Sequence, residues 1–128
     1  MKVLITCALP YVNNVPHIGN IVGSHLPGDI FARFCRLAGY ETLYIGGSDE
    51  HGTPIEVAAA KLGVTPKELA DKYYDIHKEI YDWLNISYDN FSRTSLKEHH
   101  RTTQDLFMKV YENGYVSEGV MKLPYCEK

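Results

Sequence analysis

The chain opens on a continuous apolar run, Val3–Leu9, rich in β-branched residues and bounded by Pro10, a pattern that predicts a strand buried on both faces of a parallel sheet. The stretch Pro10–Pro16 carries two prolines and two asparagines, the chemistry of a turn. From about His17, the positions Ile18, Ile21, Val22, Leu26, Ile30, Phe31, Phe34 and Leu37 recur at helical spacing, with Gly39 as the stop. Pro27 lies inside this pattern and, lacking an N–H, is expected to kink or interrupt the helix. Thr42–Ile45 reads as a second short strand, which closes a β-loop-α-β unit.

TPIEVAAAKLG predicts a helix with Thr53 as N-cap, Pro54 at its first position and Gly63 past its end. TPKE, Thr65–Glu68, is a capping box; the helix it opens is expected to reach about Leu84 and to bury Leu69, Tyr73, Ile76, Ile80 and Trp83 or Leu84. NISYDNFSRTS follows, with a third strand expected around Asp89–Arg93. SLKE, Ser95–Glu98, is another capping box, and its helix should end at Asn113 and Gly114. From Tyr115 the pattern predicts short β-like pieces around a Ser117–Gly119 turn. The expected fold class is α/β, a parallel sheet with flanking helices.

Composition narrows this picture without redirecting it. A chain of 128 residues, 45% hydrophobic and 23% charged, is sufficient for a domain with a real core. A net charge of −3 and a pI near 6.0 argue against a basic nucleic-acid-binding surface as the main feature. Cys7, Cys35 and Cys126 are an odd number without framework spacing, which favours a reducing cytoplasm. VLITCAL superficially resembles a signal peptide or lipoprotein leader. It is too short, has almost no charged region before it, and runs into Pro10, Asn13 and Asn14 rather than a small-residue cleavage site. No stretch approaches the roughly 18 apolar residues of a membrane span, so no membrane partner is expected. The terminal C-E-K stops one residue short of a C-x-x-C pair, and the chain is therefore expected to be a fragment.

Two polar stretches follow the two predicted strands: ALPYVNNVPHIGN from Ala8 and GGSDEHGTP from Gly46. In a parallel sheet both fall at the same edge, where ligands bind. His17, Gly19 and Asn20 occupy the first turn of a helix, whose free N–H groups attract anions. His17 and Asn20 are three residues apart and project hydrogen-bond donors from one face, while Gly19 allows close approach. Taken singly, His17 reads as a helix-terminal residue, Tyr11 as a loop aromatic and Asp49 as a turn residue beside Gly52; the pairing of the two stretches is what points to a nucleotide.

ALPYVNNVPHIGN resembles the N-terminal signature of methionyl-tRNA synthetases, class I enzymes whose HIGH-type motif binds ATP, and GGSDEHGTP is similar to the second block of that family. The resemblance runs through the whole chain, including NISYDNF and LPYCEK, the latter similar to the start of the family's zinc-binding insertion. Asn20 stands where a histidine would complete the motif, as in the archaeal and eukaryotic branch, and keeps a donor there.

The resemblance implies the first half of a Rossmann-like (HUP-type) catalytic domain over residues 1–114, with a truncated connective insertion from 115 to 128. It implies ATP-dependent activation of L-methionine to methionyl adenylate and transfer to tRNA(Met), in the cytoplasm, with ATP used together with Mg2+. By resemblance, Leu9 and Tyr11 line the amino-acid pocket, Asp49 holds the α-ammonium, and His17, Gly19, Asn20, Gly46 and Gly47 contact or make room for ATP; His17 and Asn20 carry the catalytic role. Glu50 and His51 lie beside these without an assigned role. Cys126 would be a zinc ligand only in a longer chain that supplies its partners. No KMSKS-like segment or anticodon-binding domain is present in the sequence, so tRNA recognition is expected mainly elsewhere. Two other readings stay open: a different nucleotidyltransferase of the same superfamily, and a non-catalytic half that works with a complementing second polypeptide.

Overall fold

The computed structural model describes residues 1–124, and the expected zinc ligand Cys126 lies outside the described residues. The chain divides into two units, the first being Met1–Leu96 and the second beginning at Lys97. In the first, strands β1 (Lys2–Thr6), β2 (Glu41–Ser48) and β3 (Asn90–Arg93) form a wholly parallel sheet in the order β1-β2-β3. Helices α1 (Ile18–Asn20), α2 (Leu26–Leu37), α3 (Thr53–Leu62) and α4 (Pro66–Trp83) supply the crossovers. Parallel strands need such long connections, so the alternation of short apolar runs and helical segments leads to this architecture.

Helix formation departs from the expected pattern at Pro27. The chain is helical without a gap from Ile18 to Leu37, because Ile21–His25 forms a π-helical turn in which Leu26 N–H reaches back to Ile21 O. The widened turn meets regular α-helix at Leu26, and Pro27, with no N–H to offer, sits at that seam. The face that α2 and the π-turn bury also differs from the apolar stripe. Ile21, His25, Asp29, Ala32 and Cys35 are buried, whereas Ile30, Phe31, Phe34 and Leu37 are exposed. Polar ties fix this orientation. Asp29 Oδ1 accepts from both Ser87 N and Ser87 Oγ at 2.6 Å; Arg36 donates to Ser87 O at 3.0 Å and to Asp89 Oδ2 at 2.8 Å, and the same Asp89 oxygen accepts from Tyr44 N at 2.6 Å. The turn 85–89 is thereby fastened to both α2 and β2.

Strand β1 ends at Thr6, short of the expected Leu9, and it is covered on one face only: Ile5 is buried, while Leu4 is 63% exposed. Strand β2 is longer than expected because Gly46, Gly47 and Ser48 continue the ladder opposite Phe91, Ser92 and Arg93. Gly46 is required for packing, since a Cβ there would lie 2.6 Å from the Tyr88 ring. In α3 the cap is Gly52, at φ 116°, and Thr53 is the first helical residue, while Gly63 closes the helix in the left-handed region as expected. Helix α4 begins with the reciprocal Thr65–Glu68 capping box. It buries Leu69, Ala70, His77 and Tyr81, one side of the expected stripe, and leaves Trp83 exposed.

Two apolar clusters result. Ile5 and Tyr44 of the sheet pack with Ile21, Ala32, Tyr81 and Ile86, and Val12 packs with Ile55, Ala59, Leu69 and Ala70. In the second unit, helix α5 spans Lys97–Glu112. It starts two residues beyond Ser95, so the expected Ser95 cap does not form; that hydroxyl donates to Glu50 instead. Residues 115–124 form no strand, contrary to the β-like reading, and no neighbouring strand among the described residues pairs with them.

Candidate active site

The loops that follow β1 and β2 meet through their backbones. Asp49 N donates to Pro10 O at 2.9 Å and Val12 N to Asp49 O at 3.4 Å, an isolated parallel bridge that sets Tyr11 beside Asp49. Val12, fully buried, plugs this crossing into the second core. Asp49 Oδ1 accepts from His51 N at 3.3 Å, which shapes the turn.

Glu50 has a different role. It is buried, and its carboxylate accepts from Ser48 Oγ at 2.8 Å, from Arg93 Nε at 2.7 Å and from the Ser95 hydroxyl, while its own N–H donates to Thr94 Oγ1 at 2.9 Å. Arg93 in turn pairs with Asp71 of α4 at 2.5 Å and stacks over Tyr74 at 4.5 Å. Glu50 thus bolts the loop that carries Asp49 onto the end of β3 and onto α4.

At the head of α1, His17 is the N-cap, with extended backbone. Its Nδ1 accepts from Gly19 N at 2.9 Å, and its own N–H donates to Asn20 Oδ1 at 3.1 Å. This reciprocal cap consumes one atom of each side chain. Because Nδ1 is an acceptor, the neutral ring carries its proton on Nε2, and Asn20 retains its Nδ2 hydrogens as donors. Gly19 makes room for the capping ring: a Cβ there would stand 3.0 Å from Nδ1.

A cleft of about 380 Å³ lies between these parts, walled by Leu9, Pro10, Tyr11, residues 13–16, His17, Asn20 and His77. It brings together Leu9, Tyr11, His17 and Asn20. Asp49 adjoins it through the bridge to Tyr11. Gly47 lies against Leu9, whose Cδ2 would be 3.2 Å from an added Cβ, and a Cβ on Gly46 would run into Tyr88 and Phe91. Asn13 and Asn14 lie within the first signature stretch without an assigned role, and His77 carries no motif signal. His77 stands four residues from both Tyr73 and Tyr81, so in the sequence it is a break in an amphipathic stripe.

Behind the cleft the π-turn is held by a buried polar cluster. His25 Nδ1 lies 2.5 Å from Tyr88 Oη and Nε2 lies 3.1 Å from Tyr81 Oη, while Tyr44 Oη donates to His25 O at 2.7 Å. Burial, helped by neighbouring His77, pushes the His25 pKa down to about 4, and burial raises those of Tyr81 and Tyr88. The cluster is neutral at physiological pH. Among the described residues, no group of three or more His, Cys, Asp or Glu side chains could hold a metal ion, and no helix is long and apolar enough to cross a membrane.

The family model described as tRNA synthetases class I (M) matches residues 3–128. The chain is 53% identical over 127 residues to a probable cytoplasmic methionine–tRNA ligase of Dictyostelium discoideum, of which it covers 17% against 99% of itself. It is 53% identical over 126 residues to the cytoplasmic methionine–tRNA ligase of Arabidopsis thaliana, covering 98% of this chain and 16% of that one. It therefore spans about a sixth of the length of these relatives. Among solved structures, the methionyl-tRNA synthetase of Mycobacterium tuberculosis in complex with methionyl-adenylate matches with a TM-score of 0.86 and 34% identity, over 88% of this chain and 22% of that one. A sheet of three parallel strands with flanking helices, both signature stretches at one edge of it, and these likenesses agree: the chain belongs to the methionyl-tRNA synthetase family of class I tRNA synthetases and corresponds to the N-terminal part of the Rossmann-like catalytic domain.

Proposed function

We propose that the cleft takes L-methionine and ATP and that this chain is the portion of a methionine–tRNA ligase that contributes to methionyl adenylate formation. The observation that carries the reading is the reciprocal cap of His17 and Asn20, which leaves Nε2–H and Nδ2–H₂ as donors at the edge of a cleft whose other wall is Leu9 and Tyr11. In this reading the thioether chain lies against Leu9 and Tyr11, 52% and 45% exposed and hence available. Asp49 takes the α-ammonium and turns the substrate carboxylate toward the α-phosphate. A carboxylate oxygen forms the new bond to that phosphorus as the bond to pyrophosphate breaks. His17 and Asn20 stabilise the charge that develops on the phosphate oxygens. Gly19 and Gly47 keep the walls close to the backbone. ATP enters with Mg2+, which neutralises part of its charge.

Transfer to tRNA(Met), a cytoplasmic location, and a connective insertion beginning near residue 115 belong to the same proposal, as does dependence on the remainder of a longer polypeptide or on a second, complementing one. The two relatives described above are named as cytoplasmic. Cys126 would join a zinc site only with ligands from outside this chain.

The test is amino-acid-dependent ATP–pyrophosphate exchange by the full-length gene product. Exchange driven by methionine is expected; exchange driven by another acid, or none with methionine, rejects the assignment. Exchange by the 128-residue chain only after addition of a second polypeptide would establish the split form.

A further inference from the structure

Helix α4 sends one polar side chain to the strap that joins β1 to α1. His77 is 1% exposed, and its Nε2 lies 2.7 Å from the carbonyl oxygen of Asn14. A carbonyl only accepts, so Nε2 carries the ring proton and Nδ1 is left as an acceptor. That Nδ1 is buried and, among the described residues, has no hydrogen-bond partner. A position that needed only bulk would be better filled by an apolar side chain, because a desolvated acceptor without a partner is unfavourable. The polar function of the ring is therefore exercised on one atom, Asn14 O.

That atom sits in the middle of the cleft wall. The strap is fixed at one end by the Asp49 bridge and by buried Val12, and at the other by the His17 cap. Residues 13–16 between them line the cleft together with His77. We propose that His77 is a positioning residue, which acts through Asn14 to hold the 13–16 strap and so fixes the spacing between the Leu9–Tyr11 wall and the His17–Asn20 donors. This rests on the reading of the cleft as the methionine and ATP site.

The stranded acceptor gives the proposal a signature that a purely structural histidine would not show. His77→Met removes the tie and the unpartnered nitrogen together, and the Asn14 carbonyl, on an exposed residue, can turn to water. Stability should hold while the strap loosens. His77→Gln retains an N–H donor of similar reach.

The experiment uses the full-length gene product and both variants of it, with three readouts: melting temperature, amide hydrogen exchange at Asn14 and Val15, and affinity for a non-hydrolysable methionyl-adenylate analogue. His77→Met should melt at or above the wild-type temperature, exchange about tenfold faster in the strap and bind the analogue about tenfold more weakly, with His77→Gln within about threefold of wild type on both counts. Wild-type exchange and affinity in His77→Met would overturn the proposal, as would a His77→Gln chain that behaves like His77→Met. A lower melting temperature in His77→Met would assign the ring to packing and overturn it also. If the wild-type protein does not bind the analogue at all, the methionine and ATP reading fails, while hydrogen exchange still decides whether His77 ties the strap.

Discussion

Arg93 Nε and Glu50 Oε1 lie 2.7 Å apart at the end of β3, with the Glu50 side chain 1% exposed and that of Arg93 20% exposed. The pair carries the loop that holds Asp49, so its worth is positional as well as energetic. Three donors converge on the Glu50 carboxylate, and breaking such a group leaves Arg93 partly desolvated and without its strongest partner. Glu50→Ala is expected to lower the unfolding free energy by about 3 kcal/mol, measured by urea denaturation. Adding Arg93→Met should recover part of that loss. A double-variant loss equal to the sum of the two single-variant losses would show the two residues to be independent.

His25 makes stability depend on pH. Its folded pKa of about 4 lies below the unfolded value of 6.5, so the unfolded chain binds the extra proton between them. Stability is therefore full above pH 6.5 and declines as pH falls toward 4. His77, also shifted down by burial, acts in the same direction. Across that window the His25 contribution is roughly 3 kcal/mol. His25→Phe should melt with a visibly shallower pH dependence between 6.5 and 4 than wild type; an identical slope would show that His25 is not the group that titrates.

Glycines give opposite signs at two sites. A Cβ at Gly46 would meet Tyr88 Cε1 at 2.6 Å and Phe91 at 3.1 Å, inside a packed aromatic cluster, so Gly46→Ala should destabilise by about 1–3 kcal/mol. At Gly23, in the π-turn, a Cβ meets nothing within 4 Å. Gly23→Ala should therefore stabilise by about 0.5–1 kcal/mol. Thermal unfolding of both variants checks the contrast.

The amino-acid sequence carried the parts of this fold that depend on local chemistry. The Thr65–Glu68 capping box, the apolar β1 and β2, and the placement of both signature stretches at one sheet edge all follow from neighbours in the chain. What escaped is set by distant partners. Glycine is a poor strand former, yet Gly46 and Gly47 are in β2 because β3 pairs with them. The buried side of α2 carries Asp29 beside the small Ala32 and Cys35, tied down by Ser87, which donates to Asp29, and by Asp89, which accepts from Arg36, some fifty residues on, while its larger apolar side chains point outward. In the site, the placement of His17 and Asn20 together at the head of one helix was legible from spacing, whereas Glu50 has no assigned role until Arg93, Ser48 and Ser95 are seen around it. His77 gave no signal, since only the fold brings Asn14 to it.

Asn20 offers the sharpest separation of fold from chemistry. Its Oδ1 accepts from His17 N at 3.1 Å and completes the cap, while its Nδ2 is the atom proposed to meet the phosphates. Asn20→Asp keeps an oxygen for the cap and favours the helix N-terminus, but replaces the donor with negative charge facing the triphosphate. Stability should stay within about 0.5 kcal/mol of wild type. Methionine-dependent pyrophosphate exchange by the full-length gene product should fall by about a hundredfold, the usual cost of removing one donor to a developing oxyanion. Asn20→Ala, which loses both functions, should be less active and also less stable by about 1 kcal/mol. If Asn20→Asp retains full exchange activity, the amide is a cap and nothing more, and the phosphate-binding role passes to His17 alone.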